Sequence, residues 1–203
     1  MNYFISGIGT NIGKTIVSAI LTEALEADYW KPVQAGDIEN SDTNKVKKLV
    51  SNKKSVFHKE AYCLTQPMSP HAAAKMDGIE INLNEIQLPT TNNKLIIEGA
   101  GGLMVPINDK DLIIDLIKKL DAEVILVSQN YLGSINHTLL SIESLQTRNI
   151  NIKGIIFNGD ENAATEQFIL SYTKVNCLGR IKQHAVINKE VVLSYKNHFQ
   201  SLL

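Results

Sequence analysis

One stretch near the start of the chain constrains the fold most: an apolar run, a glycine-rich turn and the tripeptide Gly13-Lys14-Thr15. Residues 2–6 have the composition of a buried strand, and a helical pattern starts at Ile16. Strand, glycine loop and helix in this order are typical of a phosphate-binding loop, where backbone N–H groups and the helix N-terminus bind polyphosphate. The pattern predicts that Lys14 reaches the outer phosphates and that the Thr15 hydroxyl ligates Mg²⁺.

The spacing of this loop departs from the strict motif, which requires glycine at position 8, where the chain has Ile8. The nearest glycines are Gly7 and Gly9, and together with Gly13 they do not match the dinucleotide-binding spacing either. The alternative is a glycine turn before a helix, with a solvated lysine. The strand before the turn and the helix after it favour phosphate binding.

Composition narrows the class of protein. A chain of 203 residues suits one α/β domain with a sizeable core, and a formal net charge of −1 does not favour nucleic acid as a partner. Cys63 and Cys177 lie far apart, form no ligand pattern and are interpreted as reduced thiols. The N-terminus has no signal-peptide pattern, and no run reaches membrane-spanning length, so we expect a cytoplasmic protein without a membrane partner.

Apolar runs and helical patterns alternate along the chain. Strands are predicted over residues 2–6, 29–33, 94–98, 123–128, 153–158 and 175–181. Helices are predicted over residues 13–27, 41–50, 69–76, 111–120, 132–148 and 161–173 and from about 188, with residues 56–66 irregular. The sequence therefore predicts an α/β fold, a mostly parallel sheet with helices on both faces, as a single domain over residues 1–203.

Ligands of such sheets bind at the carboxyl ends of the strands. The phosphate-binding loop, Lys31, Glu98 and Asn158 are all expected there. Glu98 ends an apolar strand directly before a second predicted glycine turn, Gly99 to Gly102, and an acid so placed is typical of Mg²⁺ sites beside nucleotides. Taken alone, Lys31 is better interpreted as a solvated lysine, whereas the glycines after Glu98 favour a site over a solvated strand-end carboxylate.

Seven segments, in this order, resemble the dethiobiotin synthetase family, the ATP-dependent carboxylase-cyclases of biotin synthesis. They are YFISGIGTNIGKT (3–15), KPVQAG (31–36), SD (41–42), QPMSPHAAA (66–74), IIEGAGG (96–102), LGSINHTLL (132–140) and GIIFN (154–158). The resemblance implies that 7,8-diaminononanoate (7,8-diaminopelargonate) reacts with CO₂ to form a carbamate. ATP then phosphorylates the carbamate, and the second amine closes the cyclic urea of dethiobiotin with release of ADP and phosphate.

The resemblance also implies roles for individual residues. Lys31, Lys14 and Thr10 would act on the reacting groups, and Thr15, Asp42 and Glu98 would hold Mg²⁺. The nucleotide-binding set would be Asn11, Ile12, Gly13, Lys14, Thr15, Ile16, Asp42, Glu98, Gly99, Ala100, Gly101 and Asn158, with Asn158 at the adenine edge. The substrate set would be Gln34, Ala35, Pro70, His71, Gly133, Ser134, Ile135 and Asn136, with the last four acting across a homodimer interface.

The chain departs from the family at several positions. Members often have acids at positions 9 and 11, where this chain has Gly9 and Asn11, and a hydroxyl residue where Ala35 stands. The adenine-site asparagine is often followed by aspartate, where Gly159 stands here, and Lys182-Gln183-His184 replaces a proline after the last strand. These differences concern base and substrate contacts rather than the reacting groups.

Other classes share this fold. Switch ATPases of the partitioning or septum-positioning kind carry a lysine at the position of Gly9, and no basic amphipathic tail is evident here. Amidases with a related synthetase half carry a glutaminase domain, which we do not expect in 203 residues. A catalytically dead nucleotide-binding module is disfavoured by the joint presence of Lys14, Thr15, Lys31, Asp42 and Glu98.

Overall fold

The computed structural model describes residues 2–201. Strands and helices alternate along this part of the chain, as predicted. The strands are β1 (Asn2–Gly7), β2 (Asp28–Trp30), β3 (Val33–Ala35), β4 (Phe57–His58), β5 (Tyr62–Leu64), β6 (Leu95–Gly102), β7 (Glu123–Gln129), β8 (Ile152–Asn158) and β9 (Cys177–Ile181). The helices are α1 (Lys14–Leu25), α2 (Asp42–Leu49), α3 (Pro70–Met76), α4 (Ile113–Leu120), α5 (Ser134–Thr147), α6 (Ala163–Thr173), α7 (Lys189–Ser194) and α8 (Lys196–Gln200).

Seven of the strands form one sheet, in the order β4-β2-β6-β1-β7-β8-β9, and every neighbouring pair is parallel. Parallel strands need crossover connections, which the helices supply on both faces. The predicted fold class is thus confirmed. None of the helices described is long and apolar enough to cross a membrane.

Alternation of side chains along the central strands separates two faces of the sheet. Tyr3, Ile5 and Ile96 face one cluster, where they pack under α1, α2 and the C-terminal helices. Phe4 and Ile97, their neighbours in sequence, face the opposite cluster with α3 and α4. The central strands are therefore buried on both sides, so their carboxyl ends form a rigid edge for a site.

The predicted strand over residues 29–33 is wrong in its extent. Strand β2 ends at Trp30, and β3 pairs instead with β5 in a separate two-stranded sheet. Pro32 lacks an N–H to continue the ladder, and its carbonyl accepts from the N–H groups of Ala61 and Tyr62, at 2.9 and 3.0 Å. The predicted irregular stretch 56–66 is also wrong, because it contains β4 and β5.

The predicted glycine turn at Gly99 to Gly102 is wrong too, because β6 continues through Gly102. The strand bulges there: Ile5 pairs with Glu98, but Gly7 pairs with Gly102. Gly101 has φ of 69°, which a residue with a side chain adopts only under strain. The glycines thus let β6 kink beside the phosphate-binding loop without leaving the sheet.

Asp28 anchors the amino end of β2. Its buried carboxylate accepts hydrogen bonds from the Val56 N–H, the Thr91 hydroxyl, the Asn93 amide and a His58 ring nitrogen, at 2.7–3.2 Å. Burial alone would raise the pKa of Asp28, but these donors outweigh it and hold the pKa below its usual value. The carboxylate therefore ties the edge strand β4 and the segment before β6 to β2.

We predict that Asp28→Ala lowers the free energy of unfolding at pH 7 by about 3 kcal/mol, because several buried donors lose a charged acceptor. The contribution is present above the unfolded-state pKa of about 4 and declines as the pH falls through the lower folded-state value. Urea denaturation at pH 7 and in acid measures both effects. Asp109→Ala, at an exposed position, is the matched control. Equal losses in the two variants would contradict the prediction.

Candidate active site

The phosphate-binding loop joins β1 to α1 and is fixed by one contact from a distant strand and one contact of its own. The Asn158 amide at the end of β8 donates to the Ile12 carbonyl at 3.0 Å, and Lys14 Nζ donates to the Gly9 carbonyl at 2.8 Å. Gly13 has φ of 93°, and a Cβ there would lie 2.2 Å from Asn158 Nδ2. Glycine is therefore required both by the backbone conformation and by the closeness of Asn158.

Glu98 is the centre of the site, although only 1% of its surface is exposed. Its Oε1 accepts from the Thr15 hydroxyl at 2.9 Å and from Lys31 Nζ at 3.2 Å. Its Oε2 accepts from the Tyr29 hydroxyl at 2.9 Å. Side chains from β2, from α1 and from the residue after β2 thus converge on one carboxylate of β6, as expected where parallel strands end together.

Lys31 joins the two acids of the site. Its Nζ lies 2.5 Å from Asp42 Oδ2, 3.2 Å from Glu98 Oε1 and 3.4 Å from the Gly99 carbonyl. Burial alone would lower the pKa of Lys31, but the carboxylates of Glu98 and Asp42 outweigh it and raise the pKa. Lys31 is therefore a buried ammonium, not the solvated strand-end lysine of the alternative interpretation.

Lys14 has a different environment from that of Lys31. Its pKa is lowered to about 8, mainly by burial and with a contribution from Lys31, against the opposing effect of the Glu98 and Asp42 carboxylates. A lysine that is desolvated in this way has a strong preference for an anion, and polyphosphate at the loop would supply one. The two lysines thus differ: Lys31 already has carboxylate partners, and Lys14 has only a carbonyl.

Asp42 is positioned by its own backbone. Ser41 caps α2, with its hydroxyl accepting from the Asn44 N–H at 3.2 Å, and the Asp42 N–H donates to Gln34 Oε1 at 3.2 Å. Gln34 Nε2 donates in turn to the Gly36 carbonyl at 2.8 Å. Burial disfavours the ionised form, but Lys31 outweighs this effect and lowers the pKa of Asp42. The Gln34 amide thus has its oxygen bonded to the start of α2 and its nitrogen bonded to the Gly36 carbonyl.

A cavity of about 310 Å³ opens above these groups. It is lined by Thr10, Asn11, Gly13, Lys14, Thr15, Ile16, Lys31, Asp42, Glu98 and Gly101. The sequence-predicted catalytic residues and metal ligands are therefore brought together in one place. Other members of the predicted nucleotide set lie behind it: Ile12 is buried over Gly7, and Gly99 packs on the Phe4 ring. Ala100 packs against the core.

The donor set fits Mg²⁺. The Thr15 hydroxyl donates to Glu98, and Thr15, Asp42 and Glu98 all line the phosphate cavity, so three oxygen-bearing groups meet there, and Mg²⁺ prefers oxygen ligands. Within residues 2–201 no three His, Cys, Asp or Glu side chains form a metal cluster. Two carboxylates and a hydroxyl suit an ion bound together with nucleotide phosphates rather than in an all-protein cage.

Two further cavities adjoin the first. One of about 300 Å³ shares Ile16 with it and is lined by Asn158, Gly159 and the segment 181–184. The other, of about 370 Å³, shares Thr10 and is lined mainly by apolar groups, Ile8, Leu103, Met104, Val105 and Leu140 among them. The three cavities therefore form a row with the phosphate-binding loop in the middle.

The predicted substrate residues are more scattered. Pro70 is buried at the start of α3, and His71 lines a separate cavity of about 670 Å³. Gly133 and Asn136 are exposed at the start of α5, whereas Ser134 is buried and Ile135 packs on the core. Ala35 is half-buried in β3. None of these residues lines the phosphate cavity of its own chain, so their roles stay predictions.

Sequence reasoning missed Tyr29. Its hydroxyl contacts Glu98, yet its position in an apolar strand indicates only a core residue. The pairing of Tyr29 with Ile96 places it two residues from Glu98 on the same face of the sheet, and that register cannot be read from one sequence.

The fold is shared with known nucleotide-binding proteins. A ParA family ATPase from Chlorobium tepidum superposes with a TM-score of 0.58 at 12% identity, covering 98% of this chain and 92% of that one. Identity this low shows a common fold alone.

Relatives with high sequence identity indicate the family more specifically than the shared fold does. A family model described as an AAA domain matches residues 1–191. The ATP-dependent dethiobiotin synthetase BioD of Christiangramia forsetii is 59% identical over 202 residues, which is 100% of this chain and 97% of that protein. The protein of the same name from Cytophaga hutchinsonii is 57% identical, covering 95% of this chain and 94% of that one. This chain belongs to the family of ATP-dependent dethiobiotin synthetases, which are ligases.

Proposed function

We propose that the protein makes dethiobiotin from 7,8-diaminononanoate, CO₂ and ATP, with release of ADP and phosphate. The observation that carries the proposal is the convergence of Lys14, Thr15, Lys31, Asp42 and Glu98 on one cavity, in a chain 59% identical to a relative named for this synthesis. An amine first adds CO₂ and loses a proton to give a carbamate. A carbamate oxygen displaces ADP from the γ-phosphorus. The second amine then attacks the carbamate carbon, and phosphate leaves.

Lys31 and Lys14 would have different roles in phosphoryl transfer. Lys31 is an ammonium beside two carboxylates, and it can turn N–H groups that contact Asp42 and the Gly99 carbonyl toward the carbamate and the γ-phosphate. Lys14, desolvated at the start of α1, would neutralise charge on the transferring group. Thr10 lies at the junction of the phosphate and apolar cavities, where it can orient both reactants. Fixed positive charge and in-line positioning would supply most of the catalysis.

Thr15, Asp42 and Glu98 would hold Mg²⁺. When bound, the ion would supply positive charge that neutralises the phosphates during transfer. The protein's part is to present three prearranged oxygen donors: α1 supplies Thr15, the capped start of α2 supplies Asp42, and β6 supplies Glu98.

The row of cavities fits the reactants. The cavity beside Asn158 would take the adenine, because it opens next to the loop and offers an amide and backbone groups. The apolar cavity on the other side would take the carbon chain of the diamine, whose methylene groups gain by leaving water. The phosphate-binding loop between them would bring the γ-phosphate to the carbamate.

A homodimer would complete the substrate site. Leu140 and Met104, which line the apolar cavity, are exposed, and Tyr131 and Leu132 are exposed just before α5, which supports a partner covering this surface. In a dimer the start of α5, Gly133 to Asn136, could present its N–H groups to the substrate carboxylate bound by the other protomer.

We predict that ADP formation by the purified protein depends on diaminononanoate and bicarbonate together, and that removing Mg²⁺ with a chelator stops it. The physical reason is that no acceptor for the phosphoryl group exists until the carbamate forms. Coupled ADP assays and mass spectrometry of dethiobiotin measure both sides of the reaction. An ADP rate that is unchanged when either substrate is omitted would sink the proposal in favour of a switch-type ATPase.

We predict that Lys31→Ala lowers turnover by about 100-fold or more, because an ammonium aimed at developing negative charge is lost. ATP binding should persist, since the phosphate-binding loop is untouched. Turnover is measured at saturating substrates and ATP affinity with a fluorescent analogue. Lys118→Ala, at an exposed position of α4, is the matched control. Near-normal turnover in the Lys31 variant would remove it from the mechanism.

We predict that the double variant Leu132→Asp, Leu140→Asp is monomeric and inactive, because a dimer would have to bury two unpaired charges. Sedimentation velocity gives the mass, and the wild type should sediment as a dimer. Phe168→Asp places the same charge at an exposed position of α6, away from the apolar cavity, and should leave the dimer intact. A monomeric wild type with full activity would rule out the shared site.

A further inference from the structure

The Tyr29 hydroxyl is placed where it can act on Glu98 but on nothing else in the site. The side chain has no exposed surface, and it lines none of the three cavities in the row. Its hydroxyl donates to Glu98 Oε2 at 2.9 Å. Tyr29 pairs with Ile96, and Glu98 lies two residues further along β6 on the same face, so the ring reaches its diagonal neighbour.

The two oxygens of Glu98 therefore have separate partners. Oε1 is contacted by Thr15 and Lys31, both of which line the phosphate cavity. Oε2 is contacted by Tyr29, which lies beneath it in the core. A carboxylate held at only one oxygen can rotate about its terminal bond, whereas a donor on each oxygen fixes the plane.

The Tyr29 ring holds the hydroxyl in place against Glu98. The ring itself is held independently of the hydroxyl, by tilted contact with Phe57 at 6.1 Å between centroids and by the core under α1.

We propose that Tyr29 is a positioning residue that orients the Glu98 carboxylate as a Mg²⁺ ligand. This inference rests on the proposed role of Glu98 as a ligand. Tyr29 touches neither substrate nor metal. It acts by engaging one oxygen of the acid, so that the other is presented to the ion beside Thr15. Partners of this kind are generally worth about 10- to 100-fold in metal affinity.

The test compares the wild type with Tyr29→Phe, which keeps the ring and removes only the hydroxyl. Calorimetry measures the affinity of each protein for Mg²⁺ in the presence of a non-hydrolysable ATP analogue, and Mn²⁺ binding followed by electron paramagnetic resonance repeats the measurement. We expect the metal affinity to fall about tenfold or more. Affinity for the metal-free nucleotide should stay unchanged. Turnover should recover when Mg²⁺ is raised, while KM for the diamine stays the same.

Tyr62→Phe is the control, because it removes a tyrosine hydroxyl bonded to an exposed acid, Glu85, away from the site. Thermal denaturation reports whether each variant is folded. If Tyr29→Phe were too unstable to purify, the wild type labelled with ¹³C at tyrosine Cζ would serve instead. The Tyr29 signal, identified through its contact with Phe57, should shift when Mg²⁺ joins the bound nucleotide analogue and not when the analogue binds alone.

The outcomes separate this inference from the proposed function. Unchanged metal affinity in folded Tyr29→Phe, or an unmoved Tyr29 signal, would overturn the positioning role while leaving the ligase reaction intact. A wild type whose nucleotide binding ignores Mg²⁺ would overturn the proposed metal role, and the positioning role with it. A loss of thermal stability without a change in metal affinity would make Tyr29 a core residue only.

Discussion

The site depends on a buried ammonium held between the buried carboxylate of Glu98 and the partly exposed carboxylate of Asp42. Lys31 contacts Asp42 and Glu98 at 2.5 and 3.2 Å. Moving the Lys31 and Glu98 charges out of water costs several kcal/mol for each ion, and their mutual attraction only offsets that cost. The arrangement is therefore a poor way to gain stability. It is a good way to keep charged donors and acceptors in place before a nucleotide binds, because little has to reorganise when it does.

The backbone is irregular at the two strand ends that position these charged groups. Strand β2 stops at Trp30 because Pro32 cannot continue the ladder, and Lys31 therefore follows the end of a strand rather than lying within one. Strand β6 kinks at its glycines instead of ending, so the Gly99 carbonyl still reaches Lys31. Both irregularities lie at the carboxyl edge of a sheet whose middle is regular. The regular part of the parallel sheet thus makes this edge rigid. The early end of β2 and the kink in β6 leave space at the edge for the site.

The sequence alone predicts the fold class and most of the site, but it misses features that depend on strand pairing. The fold class, most helix bounds and the meeting of Lys14, Thr15, Lys31 and Glu98 follow from local pattern, because parallel strands bring their ends together whatever their exact register. Strands β4 and β5 are missed because they have two and three residues and their partners are remote in sequence. Tyr29 is missed for the same reason: its role depends on pairing with β6, and apolar composition alone indicates a core position. The missed features depend on which residues pair between strands, and residue type alone does not give that pairing.

Fold alone would have left the function open. The chain superposes on a ParA family ATPase over nearly its whole length, but at 12% identity this similarity does not indicate which reaction the chain catalyses. Single positions of the site are more informative than the fold. The Gly9 carbonyl accepts a hydrogen bond from Lys14 of the same loop. Lys31, the residue after β2, supplies a second cation next to the acids proposed to bind Mg²⁺. A cation placed there, rather than on the loop, can face an acceptor bound beside the phosphates, as the proposed ligase reaction requires.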